Sequence, residues 1–151
     1  MSKPQFAGAR DDGAIRVLVV EDEIEAARLV TRRLSYYPSA HFVTTHVPDL
    51  GSAFARIEDE AFDVMVLDLG LPDADGFATI ASACGVARHL PIVVLTGSDD
   101  DELSVLAIRA GAEDYLVKPL TDVRPVARAL RNACERHKRR RAEPHARDAA
   151  A

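Results

Sequence analysis

Asp68 closes the apolar run Val64-Met65-Val66-Leu67 and precedes Leu69-Gly70-Leu71-Pro72-Asp73-Ala74-Asp75-Gly76. Glu21 and Asp22 follow Ile15-Arg16-Val17-Leu18-Val19-Val20 in the same way. Short apolar runs of this kind read as buried parallel strands, and a carboxylate at the end of one leaves the sheet where the core opens to water. Three carboxylates brought together at strand ends repel one another unless a cation joins them. The pattern implies a magnesium site, with manganese as a substitute, in which one carboxylate stays available to react. Thr96 and Lys118 end two further apolar runs. A hydroxyl donor and a fixed positive charge on the same sheet edge complete a set suited to phosphoryl transfer onto a carboxylate. In that scheme Asp68 is the nucleophile, and Asp22, Asp68 and the Gly70 carbonyl hold the metal, with Glu21 acting on it through water. Lys118 and Thr96 contact phosphoryl oxygens.

The elements that must position these residues follow from periodicity. Strands are expected over 15–20, 41–47, 63–67, 91–95 and 114–117. The second, His41 to Val47, is only partly apolar and suits a sheet edge. Helices are expected over 23–36, 49–60, 75–87, 99–110 and 121–138. Leu50, Ala53, Phe54, Ile57 and Ala61 recur at helical spacing, as do Phe77, Ile80, Ala81 and Cys84. Val123, Val126, Ala127, Leu130, Cys134 and His137 form a third stripe. Asp99 with Glu102 makes a capping pair for the fourth helix. Thr121 or Asp122 caps the fifth, whose first turn tolerates Pro125. Five β-then-α repeats imply an α/β fold, one doubly wound domain with a parallel five-stranded sheet covered by helices on both faces. The order 2-1-3-4-5 makes the first and third strands neighbours, so their terminal acids meet at the switch point where such sheets place ligands.

Composition fits one domain: 151 residues, 48% of them hydrophobic. Residues 1–14 read as a flexible leader, 15–138 as the domain and 139–151 as a basic, then Ala-rich, disordered tail. The formal net charge is −5, yet residues 137–151 hold five basic and two acidic residues, which leaves −8 on the rest. An acidic body argues against direct nucleic-acid binding. The basic run Lys138-Arg139-Arg140-Arg141 is read as complementing a helix C-terminus. The two cysteines, Cys84 and Cys134, sit on apolar helix stripes and read as small buried hydrophobes in a reducing compartment. The first apolar run is too short for a secretory signal, and no stretch reaches membrane-spanning length. The five histidines share no metal-ligand spacing and read as ordinary surface or partly packed residues. Asp73-Ala74-Asp75-Gly76 lacks the frame of a calcium loop, and Asp99 to Glu102 read as acids favouring a helix start.

As a set, these stretches resemble the receiver domain of two-component response regulators. The matching segments are Val17-Leu18-Val19-Val20-Glu21-Asp22-Glu23, Val66-Leu67-Asp68-Leu69-Gly70-Leu71-Pro72-Asp73-Ala74-Asp75-Gly76, Val93-Val94-Leu95-Thr96-Gly97, and Ala110 through Pro119. They cover about residues 14–138, in the family's order and spacing. The resemblance implies a flavodoxin-like (βα)5 fold in a cytoplasmic, bacterial signalling module rather than an enzyme acting on other substrates. Asp68 is then the phosphoacceptor, served by a sensor histidine kinase or a phosphotransfer protein. Thr96 and Tyr115 form the switch, and a cis peptide joins Lys118 to Pro119. The fourth helix, fifth strand and fifth helix would present the face for a downstream protein or a homodimer. Gly70 and Ser98 occupy positions that tune phosphoryl lifetime in the family. Two other readings are weaker. A haloacid-dehalogenase-type phosphatase needs its nucleophile on the first core strand within a DxD motif. A constitutive binding module needs neither the acidic pair nor Thr96 and Lys118.

Overall fold

A computed structural model of the chain describes residues 13–69, 76–97, 100–118 and 122–142. Five strands and five helices alternate: β1 (Ile15–Val20), α1 (Ile24–Ser35), β2 (Phe42–Val47), α2 (Leu50–Asp59), β3 (Val64–Leu67), α3 (Gly76–Val86), β4 (Ile92–Thr96), α4 (Asp101–Ala110), β5 (Asp114–Val117) and α5 (Arg124–Ala142). The sheet is parallel throughout, in the order β2-β1-β3-β4-β5. The partly apolar β2 lies at the edge, as its composition anticipates.

Strand pleating divides the core in two. Leu18, Val20, Met65, Leu67, Ile92 and Val94 point to one face and pack with α2, α3 and α4 through residues such as Ala53, Ile80 and Ala107. Their neighbours Val17, Val19, Val64, Val66, Val93 and Leu95 point to the other face and meet α1 and α5 through Leu34, Leu130 and Ala133. β1 and β3 are therefore apolar on both faces, the signature of central parallel strands. Cys134 belongs to the second cluster and Cys84 packs against the first. Both are free thiols, and burial pushes the Cys134 thiol up to about 12.

The helix ends differ in detail from the sequence reading. α4 is capped by Asp100, whose Oδ1 accepts from the Leu103 amide at 3.1 Å. A cap carboxylate reaches the amide three residues on, and starting the helix at Asp101 gives that place to Asp100. Asp99, Thr121, Gly70, Ser98 and Pro119 lie outside the described residues, as do residues 1–12 and 143–151 of the expected leader and tail. Asp122 does serve the start of α5, accepting from the Arg124 amide at 3.0 Å. α5 then continues to Ala142, so residues 139–142 are helical where an irregular tail was expected. The cause is tertiary as well as local. Arg136 and Arg140, one helical turn apart, both pair with Glu113 just before β5. This clasp fastens the last turns of α5 to the body.

Gly111 closes α4 with φ of +119°, a conformation that side-chain-bearing residues resist. An added Cβ would meet Cys84 only at ordinary contact distance. Gly111→Ala should therefore destabilise through backbone strain, by about 1 kcal/mol. Leu130→Ala, which empties a fully buried position, should cost about 2–5 kcal/mol. Urea melts with an unchanged slope would register both losses as shifted midpoints.

Candidate functional site

The C-terminal ends of four strands supply the site. β1 delivers Glu21 and Asp22, β3 delivers Asp68, β4 ends in Thr96, and β5 is followed by Lys118. Because β1 and β3 are paired in register, with Val20 opposite Leu67, their following residues emerge side by side. The Asp68 amide donates to the Val20 carbonyl at 3.0 Å, which extends the ladder by one step and fixes where the nucleophile candidate leaves the sheet. On the other flank the Lys118 amide donates to the Thr96 carbonyl at 2.7 Å.

Carboxylate oxygens of Glu21, Asp22 and Asp68 all lie within 4.8 Å of one another. Glu21 and Asp68 are buried, at 5% and 8% exposure, whereas Asp22 is open to solvent. Lys118 crosses from the far side of the sheet. Its Nζ stands 2.5 Å from Glu21 Oε1 and 3.2 Å from Asp68 Oδ1. Burial pushes the Glu21 carboxyl up to about 7, and its hydrogen bond with Asp68 pushes the same way, outweighing the downward pull of Lys118. Without a metal, burial and crowding therefore favour the protonated form of Glu21. Burial pulls the Lys118 ammonium down, but the hydrogen bond to Glu21 and the charges of Asp68 and Glu21 carry it above the usual lysine value. Lys118 is therefore a permanent cation at neutral pH.

Thr96 is buried at 5% exposure on the end of β4. Tyr115 lies half-buried on β5 and packs against the first apolar cluster. Since Val94 pairs with Tyr115 and Thr96 with Val117, Tyr115 sits one pleat below Thr96 on the same face of the sheet. The geometry brings together Glu21, Asp22, Asp68 and Lys118, and puts Thr96 on the adjoining strand end. Gly70 and Pro119, expected to supply a carbonyl ligand and a cis bond, lie outside the described residues. One participant has no sequence signal. The His46 ring meets the Glu21 carbonyl, with Nε2 2.6 Å from the oxygen. A lone histidine on an edge strand looks ordinary until the register places it beside the acidic pair. A cavity of 520 Å³ opens between α1 and Lys118, with Leu29 and Gly97 in its wall.

A doubly wound parallel sheet with an acidic pocket and a lysine at its switch point defines a class: α/β domains that bind their ligand at the strand ends. The comparisons narrow this. The family model described as "Response regulator receiver domain" matches residues 17–130. The chain is similar to the regulatory protein VanRc of Enterococcus gallinarum, at 36% identity over 113 residues, covering 75% of this chain and 47% of that protein. Among solved structures it resembles the beryllofluoride-activated NtrC4 receiver domain dimer, at 30% identity with a TM-score of 0.69, covering 81% of this chain and 98% of that one. It also resembles a response regulator from Burkholderia pseudomallei bearing a phosphorylated aspartic acid, a calcium ion and citrate. There the identity is 27%, the TM-score 0.67, and coverage 86% of this chain and 75% of that one. The chain belongs to the response regulator receiver domain family, a family of signalling modules of two-component systems. It spans about half the length of the first relatives it matches.

The Glu21 carboxyl sets a pH signature for metal-free protein. Its folded pKa of about 7 exceeds the ordinary 4.5. Between those values the native state holds a proton that the unfolded chain has released, so stability should fall as pH rises through this window. The fall should be on the order of 1–3 kcal/mol. Chemical denaturation in the presence of a chelator at a series of pH values reads the slope, and Glu21→Gln should flatten it. An identical slope in the variant would remove Glu21 as its source.

Proposed function

We propose that this receiver accepts a phosphoryl group on Asp68 from the phosphohistidine of a sensor kinase or a phosphotransfer protein. The observation that carries the reading is the convergence of Glu21, Asp22 and Asp68 within 4.8 Å, with the Lys118 ammonium 3.2 Å from Asp68. In the transfer, an Asp68 carboxylate oxygen forms a bond to phosphorus while the nitrogen–phosphorus bond of the donor breaks. The bonding pair stays with the imidazole nitrogen of the donor, and an acyl phosphate remains on Asp68. The relative with a phosphorylated aspartic acid supports this chemistry.

The donor set fits a hard divalent cation, because it is all oxygen and carries more negative charge than one lysine offsets. We assign Asp22, Asp68 and the Gly70 carbonyl to hold magnesium, with manganese as a substitute and Glu21 acting through water. Bound there, the ion supplies positive charge to the phosphoryl oxygens. The protein's own side chains do the rest. Lys118 neutralises charge on the phosphoryl oxygens and keeps Glu21 and Asp68 in place. The Thr96 hydroxyl donates to a phosphoryl oxygen and, by moving toward it, frees space that Tyr115 can fill. Tyr115 lies on the same face one pleat away, which supports coupling between the two. A small change of charge thus biases a two-state element on the α4-β5-α5 side.

That side carries exposed Val105, Leu106 and Ile108 on α4 and Val117 on β5. We assign it as the surface for a downstream protein or a second copy of the chain, a reading the NtrC4 dimer supports. Among the described residues no helix is long and apolar enough to cross a membrane. We place the protein in the cytoplasm, where its histidine-kinase donors act.

Incubation with acetyl phosphate and magnesium should yield a single phosphoryl adduct by intact-protein mass spectrometry in the wild type and none in Asp68→Asn. A wild-type chain that stays unmodified would instead mark a constitutive binding module. Millimolar magnesium should also raise the thermal midpoint, since the ion binds the assembled pocket and not the dispersed carboxylates. The shift should shrink in Asp22→Asn, and its absence from the wild type would overturn the metal assignment.

A further inference from the structure

We infer that His46 is a positioning residue for the metal pocket, acting through the peptide that joins Glu21 to Asp22. A carbonyl oxygen can only accept, so in the 2.6 Å contact the His46 ring donates from Nε2. The need for this donor comes from the register. β1 and β2 pair from Ile15 with Phe42 up to Val20 with Val47. One step on, the Glu21 amide still donates to the Val47 carbonyl at 3.0 Å. The next donor of the ladder would come from beyond Pro48, but Asp49 already belongs to the cap of α2, its side chain accepting from Ser52 at 2.7 Å. The imidazole takes the place of the missing donor.

The consequence is geometric. The carbonyl of Glu21 and the amide of Asp22 share one rigid peptide plane. Hydrogen bonds on both sides of Glu21 fix where its side chain departs, and the plane fixes the start of Asp22. Asp22 is the exposed member of the acid group and has no burial to orient it. Lys118 and Asp68 hold the Glu21 side chain from the far side. His46 secures its backbone from the edge. Phe42, Thr44 and His46 alternate onto the α1 face of β2, and Phe42 anchors that face in the second core cluster. The imidazole therefore projects from a strand that is itself locked.

This inference rests on the metal reading of the same pocket, and the test separates the two. Magnesium titrations by calorimetry on the full chain, with thermal midpoints measured alongside, would compare wild type, His46→Leu, His46→Gln and Asp68→Asn. His46→Leu should weaken magnesium binding by about three- to tenfold, the range a single lost hydrogen bond commands. His46→Gln carries an amide donor at the same reach and should restore the wild-type affinity. A merely structural histidine would lower the midpoint in both variants and leave affinity alone. Should His46→Leu fail to fold, His46→Asn, whose amide falls one bond short, gives the same comparison with Gln. Equal affinity in the wild type and the donor-deficient variant overturns the role of His46. A wild type that binds magnesium no better than Asp68→Asn overturns the metal reading, and this inference with it.

Discussion

Negative charge held close together at the edge of an apolar sheet is the constraint from which this molecule is built. Three carboxylates within 4.8 Å would drive one another apart in water-poor surroundings. The protein answers with one lysine from the opposite flank and with burial that holds the Glu21 carboxyl well above its usual range. Neither satisfies the third acid, Asp22, which faces solvent. The pocket is thus left with a residual demand for positive charge. A divalent ion or a reaction that changes the charge on Asp68 acts directly on that imbalance.

The rest of the fold keeps this unfavourable cluster from relaxing. β1 and β3 are apolar on both faces, and a one-residue slip of either would carry its side chains into the wrong layer. Glu21 is tied to three other strands: by its amide and carbonyl to β2, and by its carboxyl to Asp68 after β3 and Lys118 after β5. A displacement at any of these strand ends is felt at the acid pair. The second clasp, Glu113 with Arg136 and Arg140, works at the opposite end of the sheet, fastening the long α5 immediately ahead of the strand that carries Tyr115.

The match, which covers about half of each of the first relatives' length, locates the shared part. The family covers residues 17–130, from the first buried strand residue to the last large core residue of α5, Leu130. Beyond it α5 keeps its helical course through Arg139, Arg140 and Arg141. The basic residues expected to trail into solvent are in part committed to Glu113. Charge runs read from sequence are usually solvated faces; here the i, i+4 pair finds one acid on a neighbouring segment.

Sequence alone determined the sheet order, the two-layer wrapping and the four strand ends that supply the acid cluster, Thr96 and Lys118. Apolar runs of four to six residues separated by helical stripes leave few arrangements, and acids that must meet choose among them. It also placed Lys118 and Thr96 on the same edge, because every one of them follows a strand. The tertiary structure decided what depends on register and on exact reach. That the lysine contacts Glu21 more closely than Asp68, that Asp100 caps α4, and that α5 runs to Ala142 are outcomes of distances no one-dimensional pattern encodes. His46 is the clearest case. Its partner is 25 residues away in the chain, and only the pairing of β1 with β2 turns an ordinary edge-strand histidine into a donor for the acidic pair.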